Sequence, residues 1–598
     1  MPSGSSAPRW DLSSIYPGYD SNEYKADRAE LAKVIGELKR KVDDPSTAKK
    51  DTAKWLKATI KRLDAAYGLY ENLSAYLECA YAVSTTDSRT LNEINSLEED
   101  ALPLKDAIVR FRIIVRRLRK AVRKACAKSK SIERFSFFLN EQIELADHQM
   151  SVEAESLAAD LERSGSDAWS RLQETVSSTL SWPWSGSEFR TVVQLRSMAM
   201  DPDRETRRKA FRKEIDALRS VEIPVAAALN GVKGFAVSLD RRRGYSNSLE
   251  RAAEQSRISP RTLESQIASM EASLPVFRRY LKAKAKLLGI KTCAFYDLFA
   301  PVGNSNRTWT FDEARDFIVE RFSAFALDLG DFAEHAFKER WIDGEPREGK
   351  VGGAFCAGMP LAGQSRILAN FDGSFDALFT LAHELGHGYH GYVLRDLPVI
   401  HQDYPMTLAE TASIFCETIV FNHAIQTDDA QERIAVLELF LQSATQVVVD
   451  ILSRYKFEQA VFDRRAKAEL SPSELCDLMI DAQKATYGDG LDPKNLHPYM
   501  WAVKSHYYSA NRSFYNFPYA FGLLFGLGLY AGYEHDAHDF PARYRDLLRM
   551  TGQASANDVT RVAGFDIERE EFWQGGIGII ADRVDEFARL VDGETGSP

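Results

Sequence analysis

His383-Glu384-Leu385-Gly386-His387 places two imidazoles four residues apart with a carboxylate next to the first. On a helix the two His share a face, one turn apart, and can grip one zinc ion from the same side. Glu384 is rotated off that face. From there it can reach an attacking water without ligating the metal, which is the place of a general base. The competing reading is a chance pentapeptide on a buried helix, its His satisfied by hydrogen bonds. Gly386 and Gly388 argue against chance: mid-helix, each costs about 1 kcal/mol relative to Ala, which points to close approach by another backbone or a ligand.

A catalytic zinc takes three protein ligands and leaves a position for water. The metzincin pattern needs glycine and histidine where this chain has His390 and Val393, so that class is rejected. The next candidate ligand is Glu410, separated from His387 by 22 residues, enough for a loop and a return helix. Thr407-x-x-Glu410 also reads as a capping box, and spacing alone leaves ligand and cap both open. Glu417, two turns beyond Glu410, shares its face and suits a group that orients a ligand His, or a carboxylate paired with Arg.

These residues need positioning elements. Ser374 as N-cap, Asp376 in the first turn, and Leu378, Leu381, Ala382 and Leu385 at helical spacing predict a helix over 375–394. Before it, glycines punctuate short apolar runs over 343–373, which predicts a small sheet beside that helix. Arg366–Phe371 or Gly353–Cys356 is then either an edge strand that pairs with an extended peptide or part of a structural hairpin. Gly353, Ala354 and Phe355 are the candidates there for touching substrate. The aromatic stretch 497–519 holds His506, Tyr508, Tyr515 and Tyr519, which are suitable oxyanion donors or substrate contacts, although an aromatic-rich stretch taken alone is more often core packing.

The rest of the chain reads as helices, from Asn22 to about Arg163 and again after Glu417. Residues 1–20 are a Pro/Gly/Ser-rich lead-in, and Asp592–Pro598 a polar tail. Small turns are expected at Asn230–Gly234 and Arg243–Tyr245, and turn-rich breaks at 164–166 and 181–187. A soft boundary near 195 gives an N-terminal helical lobe, 1–195, and a catalytic domain, 196–598. At 598 residues two or more lobes are expected. Hydrophobic residues at 44% and charged at 27% are ordinary globular proportions. A net charge of −10 argues against nucleic acid. Residues 107–132 carry ten Lys or Arg and no acid; in an acidic chain they read as a solvated helix face rather than as a membrane or nucleic-acid patch. The six cysteines are scattered, with no CxxC, as expected of reduced thiols. The N-terminus has no signal-peptide core, and the apolar run Ala520–Tyr533 is too short to span a bilayer. A cytoplasmic protein without membrane partners follows as the expectation; the oligomeric state is left open.

Together these pieces resemble the oligoendopeptidase F-like branch of the thimet oligopeptidase family of zinc peptidases. The resemblance starts at Trp10-Asp-Leu-Ser-Ser-Ile-Tyr16 and includes Asp167-Ala-Trp-Ser170 and Gly353-Ala-Phe-Cys356. Its most specific parts are His383–His387, Leu408-Ala-Glu-Thr-Ala-Ser413 and Phe514-Tyr-Asn-Phe-Pro-Tyr519, in this order and spacing. It implies one zinc per chain on His383, His387 and Glu410, Glu384 as general base, and His506, Tyr508 and Tyr515 at the oxyanion. Phe517 stands where more distant relatives carry Tyr, so oxyanion duty is open among Tyr508, Tyr515 and Tyr519. It also implies a mainly α, two-lobed, zincin-type fold with a small sheet beside the active-site helix and a deep channel admitting short, unstructured peptides. The implied activity is a zinc endopeptidase. The alternatives are a dipeptidyl carboxypeptidase of the same family, or a non-catalytic, metal-bound peptide-binding scaffold.

Overall fold

The computed structural model describes residues 7–303 and 307–593. The first six residues of the lead-in and the last five of the tail lie outside them. The chain is mostly helical and divides into two compact units, neither of them one continuous length of chain. One gathers Met1–Gln149, Arg307–His423 and Gly532–Phe565; the other gathers Met150–Asn306, Ala424–Ala531 and Asp566–Pro598. The boundary expected at 195 falls inside the short helix Val192–Ser197 of the second unit, so it does not separate compact units.

In the first unit, helix Asn22–Asp43 begins on Ser21, whose hydroxyl accepts from the Tyr24 amide. It buries Leu31, Val34, Ile35, Leu38 and Val42, the apolar stripe of a surface helix. That stripe packs with Trp55, Leu56, Ile60 and Leu63 of helix Thr52–Ala82, and with Phe111 and Val115 of Ser88–Arg117. The basic stretch 107–132 supplies Ala107, Phe111, Val122 and Ile132 to this core. Of its cations, Arg116 and Arg119 pair with Asp147, and Arg112 donates to Gln142.

The sheet expected at 343–373 has three strands: Ile342–Asp343 lies parallel to Gln364–Leu368, which runs antiparallel to Phe355–Met359. Gln364–Leu368 is central and its ladder is filled on both sides, so Arg366–Phe371 cannot take a peptide as an added strand. The Arg366 side chain is fully buried and donates to the Asp11 carbonyl and the Ser14 hydroxyl. It thereby pins the Trp10–Tyr16 segment to the sheet. Trp10, Ala75 and Cys79 complete a small core with Ala357, Met359 and Leu368.

The second unit corrects two local readings. Asn230–Gly234 is not a turn but lies inside helix Glu222–Arg242. A Cβ on Gly231 would stand 2.5 Å from the Trp169 ring, and one on Gly234 2.2 Å from the Arg465 guanidinium. These glycines admit neighbours; they do not turn the chain. Residues 181–187 belong to a hairpin, Ser181–Ser185 paired with Glu188–Thr191, turned at Gly186 with φ of +54°. Arg243-Gly-Tyr245 is a turn as expected, with Gly244 at φ +83°.

Helix Ala430–Arg465, with a π-helical turn at Gln446–Asp450, is long and apolar enough to cross a bilayer by length and composition. Of its most apolar 18-residue stretch 61% is buried, and the helix pairs Glu438 with Lys284 and Glu458 with Lys233 inside the unit, as a core helix does. The six cysteines are free thiols.

Candidate metal centre

The helix that would carry the metal is Phe375–Leu394, bearing His383, Glu384 and His387, and the Ser374 hydroxyl accepts from the Ala377 amide at its start. Its first half is buried through Leu378, Leu381, Ala382 and Leu385. Gly386 is where another backbone arrives: a Cβ there would stand 2.6 Å from the Ala412 carbonyl oxygen and 2.7 Å from the Ser413 Cα. At Gly388 the incoming group is the Phe332 ring, which would lie 2.8 Å from a Cβ. The approach at Gly386 brings helix Thr411–Ala424 against the metal helix, with Glu410 just before its first turn.

Glu410 does not close a capping box. The one-turn helix Met406–Ala409 starts after Pro405, without a side-chain cap, and Thr407 is buried inside it. The Glu410 carboxylate instead accepts from the Ser413 hydroxyl at 2.6 Å. The same oxygen lies 3.2 Å from His383 Nε2 and 3.5 Å from His387 Nε2. Ligands at about 2.05 Å around a tetrahedral zinc stand about 3.3 Å apart. The two imidazole nitrogens and one carboxylate oxygen all lie within 4.8 Å of one another, and that donor set suits zinc.

Behind them, His383 Nδ1 bonds Glu417 Oε2 at 2.9 Å. A carboxylate there fixes the ring so that Nε2 faces the metal position. Burial opposes charge on His383, but hydrogen bonds to Glu410 and Glu417 outweigh it and hold its pKa up to about 10. Burial likewise opposes charge on Glu410, yet His383 and His387 hold its carboxyl down to about 2. Burial, partly offset by Glu410, pushes the neighbouring His387 imidazole down to about 4, so it stays neutral. Glu384 is 6% exposed, and its Oε2 is buried with no hydrogen-bond partner. Burial, aided by Glu410 and Glu417 and opposed by His383, pushes this carboxyl up to about 7. An orphaned buried carboxylate next to three converging donors fits a site built for a metal and a reacting water.

Two supports were missed. Ser413, three residues after Glu410, was legible as a helix-spaced partner. Tyr544, whose hydroxyl donates to the Thr411 carbonyl at 3.0 Å, is too distant in sequence to be found. The strand Phe355–Met359 passes close by, with Cys356 Sγ 3.7 Å from the Gly388 Cβ position. Among the described residues it is paired on one edge only. Gly353 precedes it at φ +79°, with its carbonyl accepting from Asn370, and the Phe355 ring packs on Trp10 at 6.3 Å.

In the second unit, His506, Tyr515 and Tyr519 come together. Ring centroids are 5.3 Å apart for His506 and Tyr515, 5.7 Å for His506 and Tyr519, and 5.7 Å for the two tyrosines. His506 Nδ1 meets Asn516 Oδ1 at 3.3 Å, and Asn516 donates to Glu458, which also accepts from the Phe514 amide and from Lys233. This network holds Phe514 at φ +56°, a strained conformation of the kind found at working sites. Tyr508 does not join them. It is 1% exposed in an apolar core, and its hydroxyl donates to the Trp501 carbonyl at 3.1 Å, so it is removed from the oxyanion candidates. Phe517 is buried as well.

Comparison with known proteins gives the family. The family model described as "Oligopeptidase F" matches residues 117–182, and that of "Peptidase family M3" matches 197–579, well over half the chain. A curated relative, the chromosomal oligoendopeptidase F of Lactococcus lactis subsp. cremoris, is 28% identical over 353 residues; the match spans 58% of this chain and 58% of that protein. Two crystal structures share the fold. A candidate peptidase from Chlamydophila abortus aligns with a TM-score of 0.85 at 19% identity, over 98% of this chain and 100% of that one. Oligoendopeptidase-F from Enterococcus faecium aligns with a TM-score of 0.70 at 18% identity, over 96% and 99%. The chain belongs to peptidase family M3.

Proposed function

We propose that this chain is a zinc-dependent endopeptidase that hydrolyses short, unstructured peptides inside the cell. The observation that carries the reading is Glu384 Oε2, buried and unpartnered beside the His383, His387 and Glu410 donors. His383, His387 and Glu410 would hold one zinc. When bound, it supplies Lewis-acid polarisation of the scissile carbonyl and acidifies water.

The chain's own residues do the rest. Glu384 accepts a proton from the attacking water as its oxygen bonds to the carbonyl carbon. It then delivers that proton to the amide nitrogen as the C–N bond breaks, so base and acid are one group. Glu417 keeps the His383 ring oriented through Nδ1. His506 and Tyr515, with Tyr519 beside them, donate to the oxyanion. The one-sided strand Phe355–Met359, entered through Gly353 and Ala354, offers backbone groups to an extended substrate. Burial of three thiols and reduction of all six fit a reducing compartment.

The test is a panel of quenched fluorescent peptides, blocked and free at each end, with and without chelator. Cleavage of doubly blocked peptides that chelator stops and zinc restores is the expected result. Removal of dipeptides from free C-termini alone would make the protein a carboxypeptidase. Stoichiometric zinc with no cleavage would make it a binding scaffold.

A further inference from the structure

Within the second unit, Asn516 connects the His506 ring to a buried ion pair. Glu458 is fully buried and accepts from three donors: the Lys233 ammonium at 2.6 Å, the Phe514 amide at 3.0 Å and the Asn516 side-chain amide at 3.3 Å. Both of its oxygens are thus committed as acceptors. Asn516 is 1% exposed, and its neighbours fix which way round it stands. Turned over, its oxygen would face the Glu458 carboxylate, acceptor against acceptor, and two buried groups would lose their partners. With the amide toward Glu458, Oδ1 faces His506 Nδ1 at 3.3 Å. An amide oxygen only accepts, so the ring nitrogen opposite it carries a proton. The segment is held in this arrangement from a second side. Arg251, itself buried, donates to the carbonyls of Ala510 and Asn511 and to the Ser513 hydroxyl, and pairs with Asp240 at 2.8 Å.

We infer that Asn516, backed by Glu458 and Lys233, is a positioning residue that keeps the proton of the neutral His506 ring on Nδ1. Nε2 then accepts in the neutral ring and donates only in the imidazolium. The inference deepens the peptidase reading and rests on it: as an oxyanion donor, His506 works through Nε2 only while doubly protonated. The titratable and charged groups that face the ring are Tyr515, Tyr519, Arg454, Lys504 and Glu458. Burial, with Arg454 and Lys504, outweighs the support from Asn516 and Glu458 and holds the imidazole below its ordinary pKa. The donation is therefore complete below that lowered value and is lost as pH rises through it.

The experiment uses the full-length, zinc-loaded chain with ¹⁵N-labelled histidine, the signals missing from H506A identifying His506. Above the titration, proton–nitrogen correlations across the ring should show a protonated Nδ1 and a bare Nε2. In N516L the form protonated on Nε2 should appear. Kinetics give a second readout, with bound zinc measured at each pH. The ratio of kcat for wild type over H506A should lie near one above the titration and rise to roughly a hundredfold below it. In the N516L background that ratio should no longer follow the titration. A neutral wild-type ring protonated on Nε2 overturns the inference whatever N516L does, and so does a wild-type ratio that does not fall as pH rises. Failure of the peptidase reading looks different: the ring is protonated on Nδ1, and the zinc-loaded chain cleaves no peptide at any pH.

Discussion

At the scale of single residues, each donor in the candidate metal centre has one task that substitution can isolate. Glu410 supplies the oxygen that both imidazoles face, so E410A is expected to strip zinc from the purified protein. Glu417 bonds His383 Nδ1 from behind the donor set, so E417A is expected to keep a site but weaken zinc affinity or activity by about 10- to 100-fold. Metal content by mass spectrometry separates the two; stoichiometric zinc in E410A would return Glu410 to a structural role. The tyrosines separate in the same way. Y515F removes one hydroxyl and little volume, and its cost should fall on kcat by roughly 10²–10³-fold with KM nearly unchanged. Y508F should leave kcat alone and cost about 1 kcal/mol of stability, because its hydroxyl serves the Trp501 carbonyl. Equal small effects at both would take the aromatic cluster out of the mechanism.

At the scale of elements, the centre depends on how closely two helices approach. Gly386 is the contact: any Cβ there collides with the Ala412–Ser413 backbone. G386A should push the Glu410 helix away and lower zinc affinity by tenfold or more, read by competition with a chelator. G391A, little more than one turn further, meets only Ser365 Oγ at 3.7 Å and should be neutral or stabilising by up to about 1 kcal/mol. Equal zinc affinity in both variants would contradict this role for Gly386. The same helix shows what sequence makes legible. Its ends, 375 and 394, were readable because cap, charge and apolar period are local signals. The need for a close neighbour at Gly386 was readable as well, because a mid-helix glycine is a cost without local benefit. Asn230-Gly231 misled for the complementary reason: the ring that fills the space over Gly231 belongs to Trp169, and nothing near the dipeptide in sequence announces it. The choice between ligand and cap at Glu410 and the burial of Tyr508 were likewise settled by groups remote in sequence.

At the scale of the whole molecule, the chain passes more than once between its two compact units, so a linear cut does not yield domains. Residues 150–195 belong with the second unit. There Trp169 seats on Gly231, and Gln173 donates to the Ala502 carbonyl at 2.8 Å. A 1–195 fragment should therefore keep a protease-resistant helical core ending near 149 and lose the remainder; resistance extending to 195 would contradict the division. The central claim, that the metal centre belongs to a hydrolase whose general base is Glu384, is tested most directly by E384Q, with bound zinc and peptide turnover measured on the same sample. The account predicts about one zinc per chain, as in the wild type, with turnover lower by roughly 10²–10⁴-fold. Near-normal turnover, or loss of zinc from the folded variant, would contradict it.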